Sequence, residues 1–173
     1  MRPCQVFAYG SLLNLNSAAR TIGRPIDISD VTPCRLPGYR RNWGCWARAR
    51  FMDSPRTSFV IVCLNVTPSE NDATNGILIP VSEEEFENLR KREHGYDAVD
   101  VQVADDAGNV RTATTFRADA ASCDPPADAL VSRKYIEIAS SGAENFGPDF
   151  HREFTESVTP VPYDVTIRKW EYV

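Results

Sequence analysis

Glu93 follows three consecutive cations, Arg90-Lys91-Arg92, where a short helical segment must stop. A helix C-terminus carries partial negative charge and disfavours a carboxylate. Burial there would favour the neutral carboxyl, while the neighbouring Lys91 and Arg92 favour the charged one. A carboxylate held between opposing influences suits a proton shuttle working near neutral pH. A solvated helix-end residue paired with a cation satisfies the same local physics, so Glu93 alone defines no site. The second candidate is Tyr9-Gly10-Ser11-Leu12. Gly10 permits a sharp turn after the apolar run Val6–Tyr9. The amides of Gly10, Ser11 and Leu12 would then point into one concavity without strand partners. Such N–H groups suit a carboxylate or a developing oxyanion, although a plain Gly-Ser turn has the same sequence.

No protein nucleophile accompanies them. Ser11 is not in a GxSxG elbow. The five cysteines, Cys4, Cys34, Cys45, Cys63 and Cys123, are scattered without CxxC spacing, and the two histidines, His94 and His151, lie far apart. Neither a metal site nor a redox dithiol is expected. Cys63 sits in the apolar run Phe59–Leu64 and reads as core.

The elements that position these groups are legible in outline. Strand Gln5–Tyr9 leads through the turn into a short helix at Leu15–Ile22. Strands are expected over Thr32–Arg40, Trp46–Phe51, Phe59–Val66 and Gly76–Val81. Asp53–Arg56 reads as a turn, and Thr67–Asn75 as a polar loop. Arg40–Trp46 reads as a sheet edge with a packed Trp, in preference to a substrate mouth. Ser82-Glu83-Glu84-Glu85 is a capping box that opens the helix ending at Glu93. Tyr96–Val103 and Val110–Phe116 form a hairpin through Asp105–Asn109. Cys123–Ala127 is a loop. Helices follow over Ala129–Phe146 and Asp149–Ser157, and Asp164–Tyr172 alternates like a late edge strand. Strands dominate without regular βαβ alternation. The spacing predicts an α+β fold in one domain over residues 1–173, with a mixed, barrel-like β-sheet and a few packed helices.

The motif VFAYGSL (Val6–Leu12), combined with L-x-x-x-E-x-x-Y from Leu89 to Tyr96, resembles the γ-glutamylcyclotransferase superfamily, which includes the ChaC-like, AIG2-like and BtrG-like proteins. Arg92–Tyr96, running on to Val99-Asp100-Val101, is most similar to the ChaC-like version. Leu36–Arg41 resembles the family's second strand region. Ser132–Tyr135, Ser141-Gly142-Ala143, Phe150 and Phe154 resemble its C-terminal helices. Arg90 stands where family members often carry an Asp, and Glu93 lies closer to Tyr96 than in some branches. Both departures concern the subfamily and hence the substrate.

The resemblance implies intramolecular aminolysis. The α-amine of a γ-glutamyl group attacks its own γ-carbonyl, which releases an amine or amino acid and forms 5-oxoproline. The nucleophile belongs to the substrate, so none is needed from the protein. Glu93 would deprotonate the ammonium and protonate the leaving nitrogen. The Gly10–Leu12 amides would hold an oxyanion or the α-carboxylate. Tyr9 is a candidate pocket wall or a core residue, and Tyr96 is placed to hydrogen-bond Glu93. Tyr135 falls where the family often has a pocket tyrosine, although helical core spacing explains it equally. The expected partner is a small γ-glutamyl substrate, with glutathione implied by the ChaC-like likeness and no cofactor required. The rivals are a non-catalytic small-molecule binding domain with the same pocket and a thiol amidohydrolase using Cys45 or Cys4 with a histidine.

Charge and length narrow the classes further. A net charge of −5 without clustered basic residues argues against general nucleic-acid binding. No apolar run reaches a membrane span, and residues 1–15 lack a signal-peptide layout, so a cytoplasmic protein is expected.

Overall fold

In a computed structural model that describes residues 4–93, 95–119 and 124–173, the architecture is set by two unusually long strands. Strand β2 (Thr32–Phe51) and strand β3 (Ser54–Val81) form one antiparallel hairpin, paired from Thr32 with Leu78 to Phe51 with Ser54. Strand β1 (Cys4–Ala8) pairs antiparallel with β3 on one side and parallel with β5 (Val110–Arg117) on the other. Strand β4 (Asp97–Ala104) forms an antiparallel hairpin with β5 and touches β2 at Arg35 and Ala104. The order β3-β1-β5-β4-β2 therefore closes through the β2–β3 pairing into a five-stranded mixed barrel. The expected α+β fold with a barrel-like sheet is what the chain adopts.

Every barrel strand contributes buried side chains to the core on one or both faces of the sheet, among them Val6, Phe7, Leu36, Leu64, Ile77, Ile79, Val103 and Phe116. Phe116 is stacked on Phe86 of the helix that follows β3. Helix α1 (Leu15–Ile22) starts at Asn14, whose side chain accepts the Ser17 N–H. Helix α2 (Glu83–Arg92) opens with both bonds of the expected capping box, between Ser82 and Glu85. Its acidic first turn and basic last turn complement the helix dipole.

Several expectations are corrected. Thr67–Asn75 is not a loop but part of β3. Its polar residues Ser69–Asp72 fall between the pairs Pro37 with Ala73 and Tyr39 with Pro68, where β2 supplies only Gly38. The strand thus bulges there without leaving the sheet, and the turn chemistry belongs to the bulge. Likewise, Thr32–Arg40 and Trp46–Phe51 are one continuous strand, with an irregularity at Gly44 between the Trp43 and Cys45 pairings. The turn expected over Asp53–Arg56 is confined to Met52 and Asp53. The segment read as the start of the Ala129–Phe146 helix is a short strand, β6 (Leu130–Ser132), parallel to β3. Helix α3 (Arg133–Glu144) begins only after Ser132, whose hydroxyl accepts the Tyr135 N–H. Helix α4 (Pro148–Val158) matches its expectation. The late edge strand is two pieces, β7 (Asp164–Thr166) beside β6 and β8 (Trp170–Tyr172) beside β2, at opposite ends of the sheet. His94 and Cys123, which entered the histidine, motif and loop readings, lie outside the described residues. No described helix is long and apolar enough to cross a membrane.

Candidate functional site

The chain leaves β1 at Tyr9 and turns into a single 3₁₀ turn, Ser11–Leu13. The Leu13 N–H donates to the Gly10 carbonyl at 3.0 Å. The N–H groups of Gly10, Ser11 and Leu12 precede that first bond, and none meets a backbone acceptor among the described residues. Gly10 has a φ of −129°, on the ordinary negative side, so the demand for glycine is set by space rather than by φ. A Cβ at Gly10 would stand 3.1 Å from the Tyr135 hydroxyl. Gly142 makes the matching approach from α3, because a Cβ there would run into the backbone of Leu13 and Asn14.

Two arginines hold the turn. Arg41, buried within β2, donates from Nε to the Tyr9 carbonyl at 2.9 Å, and also to Ser157 and Asn75. Its guanidinium lies 4.7 Å from the centre of the Phe154 ring. Burial pushes its pKa down to about 10, so it remains charged at neutral pH. Arg92 donates from Nη2 to the Ser11 hydroxyl at 3.2 Å, and from Nη1 to the Ser17 carbonyl and Thr21 hydroxyl of α1. Its Nε stands 3.3 Å from Oε1 of Glu93. A single guanidinium therefore links the turn, α1 and the candidate acid–base residue.

Glu93 closes α2. Its N–H donates to the Leu89 carbonyl and its carbonyl accepts the Tyr96 N–H, both at 2.9 Å. That tie fixes the backbone and leaves the side chain, 16% exposed, to face a cavity. Glu93, Tyr9, Gly10, Ser11, Leu12, Tyr96 and Tyr135 all border one narrow crevice. Sequence reasoning thus singled out residues that the fold brings together from β1, α2, the start of β4 and α3.

The three tyrosines are fixed through backbone groups. Tyr9 donates to the Phe116 carbonyl at 2.6 Å. Tyr96 donates to the Leu64 carbonyl at 2.7 Å, and Tyr135 accepts the Leu64 N–H at 3.2 Å. The hydrogen bond expected from the Tyr96 hydroxyl to Glu93 is therefore replaced by one to Leu64. The Tyr96 backbone N–H meets the Glu93 carbonyl instead. Burial pushes all three phenols well above the ordinary tyrosine pKa. The Glu93 charge adds to the effect on Tyr9 and Tyr135. They remain neutral hydroxyls across the physiological range.

Ser11, Glu93, Tyr96 and Tyr135 also border a much larger cavity of about 800 Å³, so the crevice is its inner end. This lies in the upper part of the range for small-molecule pockets. Cys45 and Cys63, opposed across β2 and β3, both contribute to its wall. Cys63 is thus half-buried at the cavity rather than core, and burial still pushes its thiol pKa far up. Trp43 is the packed indole of the Arg40–Trp46 segment, donating to the Val158 carbonyl at 3.0 Å, whereas Trp46 lines the cavity. His151 contacts Ser140 and Glu144 between α3 and α4 and is not part of the cavity wall. Cys4 approaches Thr114 at the barrel, so among the described residues His151 and Cys4 form no thiol–imidazole pair.

Solved structures with this architecture include an uncharacterized human protein, at 17% identity over 89% of this chain and 87% of that one, with a TM-score of 0.64. A γ-glutamyl cyclotransferase matches at 15% identity over 87% and 85% of the two chains, with a TM-score of 0.62. The fold is that of the γ-glutamyl cyclotransferases. YkqA from Bacillus subtilis matches at 20% identity and a TM-score of 0.69, over 94% of this chain but 56% of YkqA, so the chain spans little over half of that protein. No protein-family model and no curated protein matches the sequence.

Within this γ-glutamyl cyclotransferase fold, sequence reasoning missed Arg41 and the structural part of Arg92. A lone strand arginine carries no mark of burial, and Arg92 looked like a charge neighbour of Glu93 alone. It also missed the outer cavity wall, built by Met52, residues 167–170 and Tyr172. The alternation of the last strand gave no sign of which edge it would join.

Proposed function

We propose that the protein is a cofactor-free γ-glutamylcyclotransferase that releases 5-oxoproline from a γ-glutamyl amino acid, amine or peptide. The observation that carries this reading is the shared crevice of Glu93 and the Gly10–Leu12 turn. A carboxylate and a set of amides without backbone acceptors among the described residues meet the two separate demands of intramolecular aminolysis.

In this reading the γ-glutamyl α-ammonium gives a proton to Glu93. The freed amine attacks the γ-carbonyl carbon and forms the ring C–N bond. The resulting oxyanion is held by the Gly10, Ser11 and Leu12 amides. Glu93 passes its proton to the leaving nitrogen as collapse breaks the bond to it. The surplus proton on the ring nitrogen then moves through Glu93 to the departing amine, which leaves as the ammonium. 5-Oxoproline is thus released as the neutral lactam, and Glu93 returns to its starting state. Ring closure within one bound molecule is favoured by proximity. Tyr9, Tyr96 and Tyr135 act as walls that hold the γ-glutamyl chain folded. Glutathione is a candidate substrate within this class.

The test is 5-oxoproline release, measured by mass spectrometry, from glutathione, γ-glutamyl dipeptides, γ-glutamyl amines and γ-glutamyl-ε-lysine. Release from one class supports the reading. Silence across the panel with folded protein rejects it in favour of a non-catalytic binding domain.

A further inference from the structure

The outer compartment of the cavity has a different chemistry from the crevice. Trp46, Met52, Ile167 and Tyr172 are among the large apolar side chains left exposed in the described residues, and all four line this compartment. Trp170 joins them, with its ring edge-on to Tyr172 at 5.0 Å. Apolar side chains collected around one cavity mouth mark a binding surface, whereas isolated ones do not.

Charge points in a second direction. The cavity lining contains Arg92, Lys134, Arg168 and Lys169 against a single acid, Glu93, in a chain whose net charge is −5. Arg92 is engaged by Ser11, Ser17, Thr21 and Glu93. Arg168 is engaged by Asp53 at 2.6 Å and by the Phe51 ring at 3.6 Å. Lys134 and Lys169 make no ion pair among the described residues and remain available.

We propose that this compartment receives the leaving half of the substrate, and that this half is an α-amino acid or short peptide with an apolar or aromatic side chain. The side chain packs against Trp46 and Tyr172, and the carboxylate is held by Lys134 and Lys169. The inference rests on the γ-glutamyl reading and narrows it. A simple γ-glutamyl amine would leave the lysines without a counter-charge, and a glycine leaving group would leave the aromatic wall empty.

The experiment compares γ-glutamyl-phenylalanine, γ-glutamyl-glycine and γ-glutamyl-phenethylamine, by kcat/KM for 5-oxoproline release and by calorimetric binding. γ-Glutamyl-phenylalanine is expected to exceed each of the others by about tenfold. Trp46→Ala should remove its advantage over the glycine compound. Lys134→Ala combined with Lys169→Ala should remove its advantage over the phenethylamine compound. Equal turnover of all three overturns the inference and leaves the γ-glutamyl reading intact. If none yields 5-oxoproline, the γ-glutamyl reading fails and binding alone decides. Tighter binding of the phenylalanine compound then supports the outer site, and equal or absent binding overturns it.

Discussion

The two ends of the cavity are built in opposite ways. At the inner end the tyrosines and the start of the turn are tied to backbone or to a buried guanidinium: Tyr9 to Phe116, Tyr96 and Tyr135 to Leu64, and the Tyr9 carbonyl to Arg41. At the outer end the wall comes from exposed aromatics on β2 and β8 and from lysines that make no ion pair among the described residues. Preorganised donors and a fixed carboxylate act on a reaction only if they need not move when charge develops. An adaptable apolar mouth can choose among leaving groups without disturbing that geometry. On the proposed function, chemistry and selectivity are separable, with the barrel core serving one and the sheet edge the other.

If so, changes at the inner end should damage turnover or the fold, and changes at the outer end should alter preference. The largest effect is expected for Glu93→Gln, which removes the proton carrier while keeping its shape. Steady-state kinetics should show kcat lowered by about 10²-fold or more, with KM little changed. Gly10→Val follows, because a side chain there meets the Tyr135 hydroxyl. It should raise KM and lower kcat together, by about tenfold or more in kcat/KM, since one displaced turn carries all three amides. Tyr135→Phe takes the acceptor from the Leu64 N–H, and denaturant unfolding should show a loss of about 1–3 kcal/mol.

A smaller, distributed effect concerns alkaline pH. Tyr9, Tyr96 and Tyr135 have folded-state pKa values above the ordinary value, so their contribution to stability is complete below about pH 10 and falls as pH rises above it. Arg41, lowered to about 10, acts in the opposite direction between there and its ordinary value of 12.5. Three phenols against one guanidinium give a net loss. Phenolate absorbance should therefore rise in two stages, with the buried share appearing only with the loss of tertiary circular dichroism. A single smooth titration of all six tyrosines would show that the inner end is not closed as described.

Much of the inner end was legible in the sequence. Val6–Leu12 showed both a buried strand and its exit, and the cations before Glu93 marked a helix end at an unusual place for a carboxylate. The resemblance drew in Tyr135, and Tyr96 followed from its spacing. The reasons behind those residues were less visible. Gly10 is set by the approach of α3, and Tyr96 answers to Leu64, both contacts between segments distant in sequence. The fold class was readable from strand-rich order, but the length of β2 and β3 was not. Pro37, Pro68 and the polar Ser69–Asp72 look like breaks, whereas the pairing on either side carries the strand through them. Leu130–Ser132 reads as a helix start until β3 offers it a parallel partner. The outer wall was hidden because Trp46 and Trp170 become neighbours of one cavity only when β8 pairs with the far end of β2.

The most direct test of the division between the two ends is one variant read two ways. Glu93→Gln should bind a γ-glutamyl dipeptide within about threefold of the wild-type affinity by calorimetry, and release 5-oxoproline at no more than about a hundredth of the wild-type rate. Release at the wild-type rate by this variant would contradict the account, because the inner carboxylate would then carry no part of the chemistry.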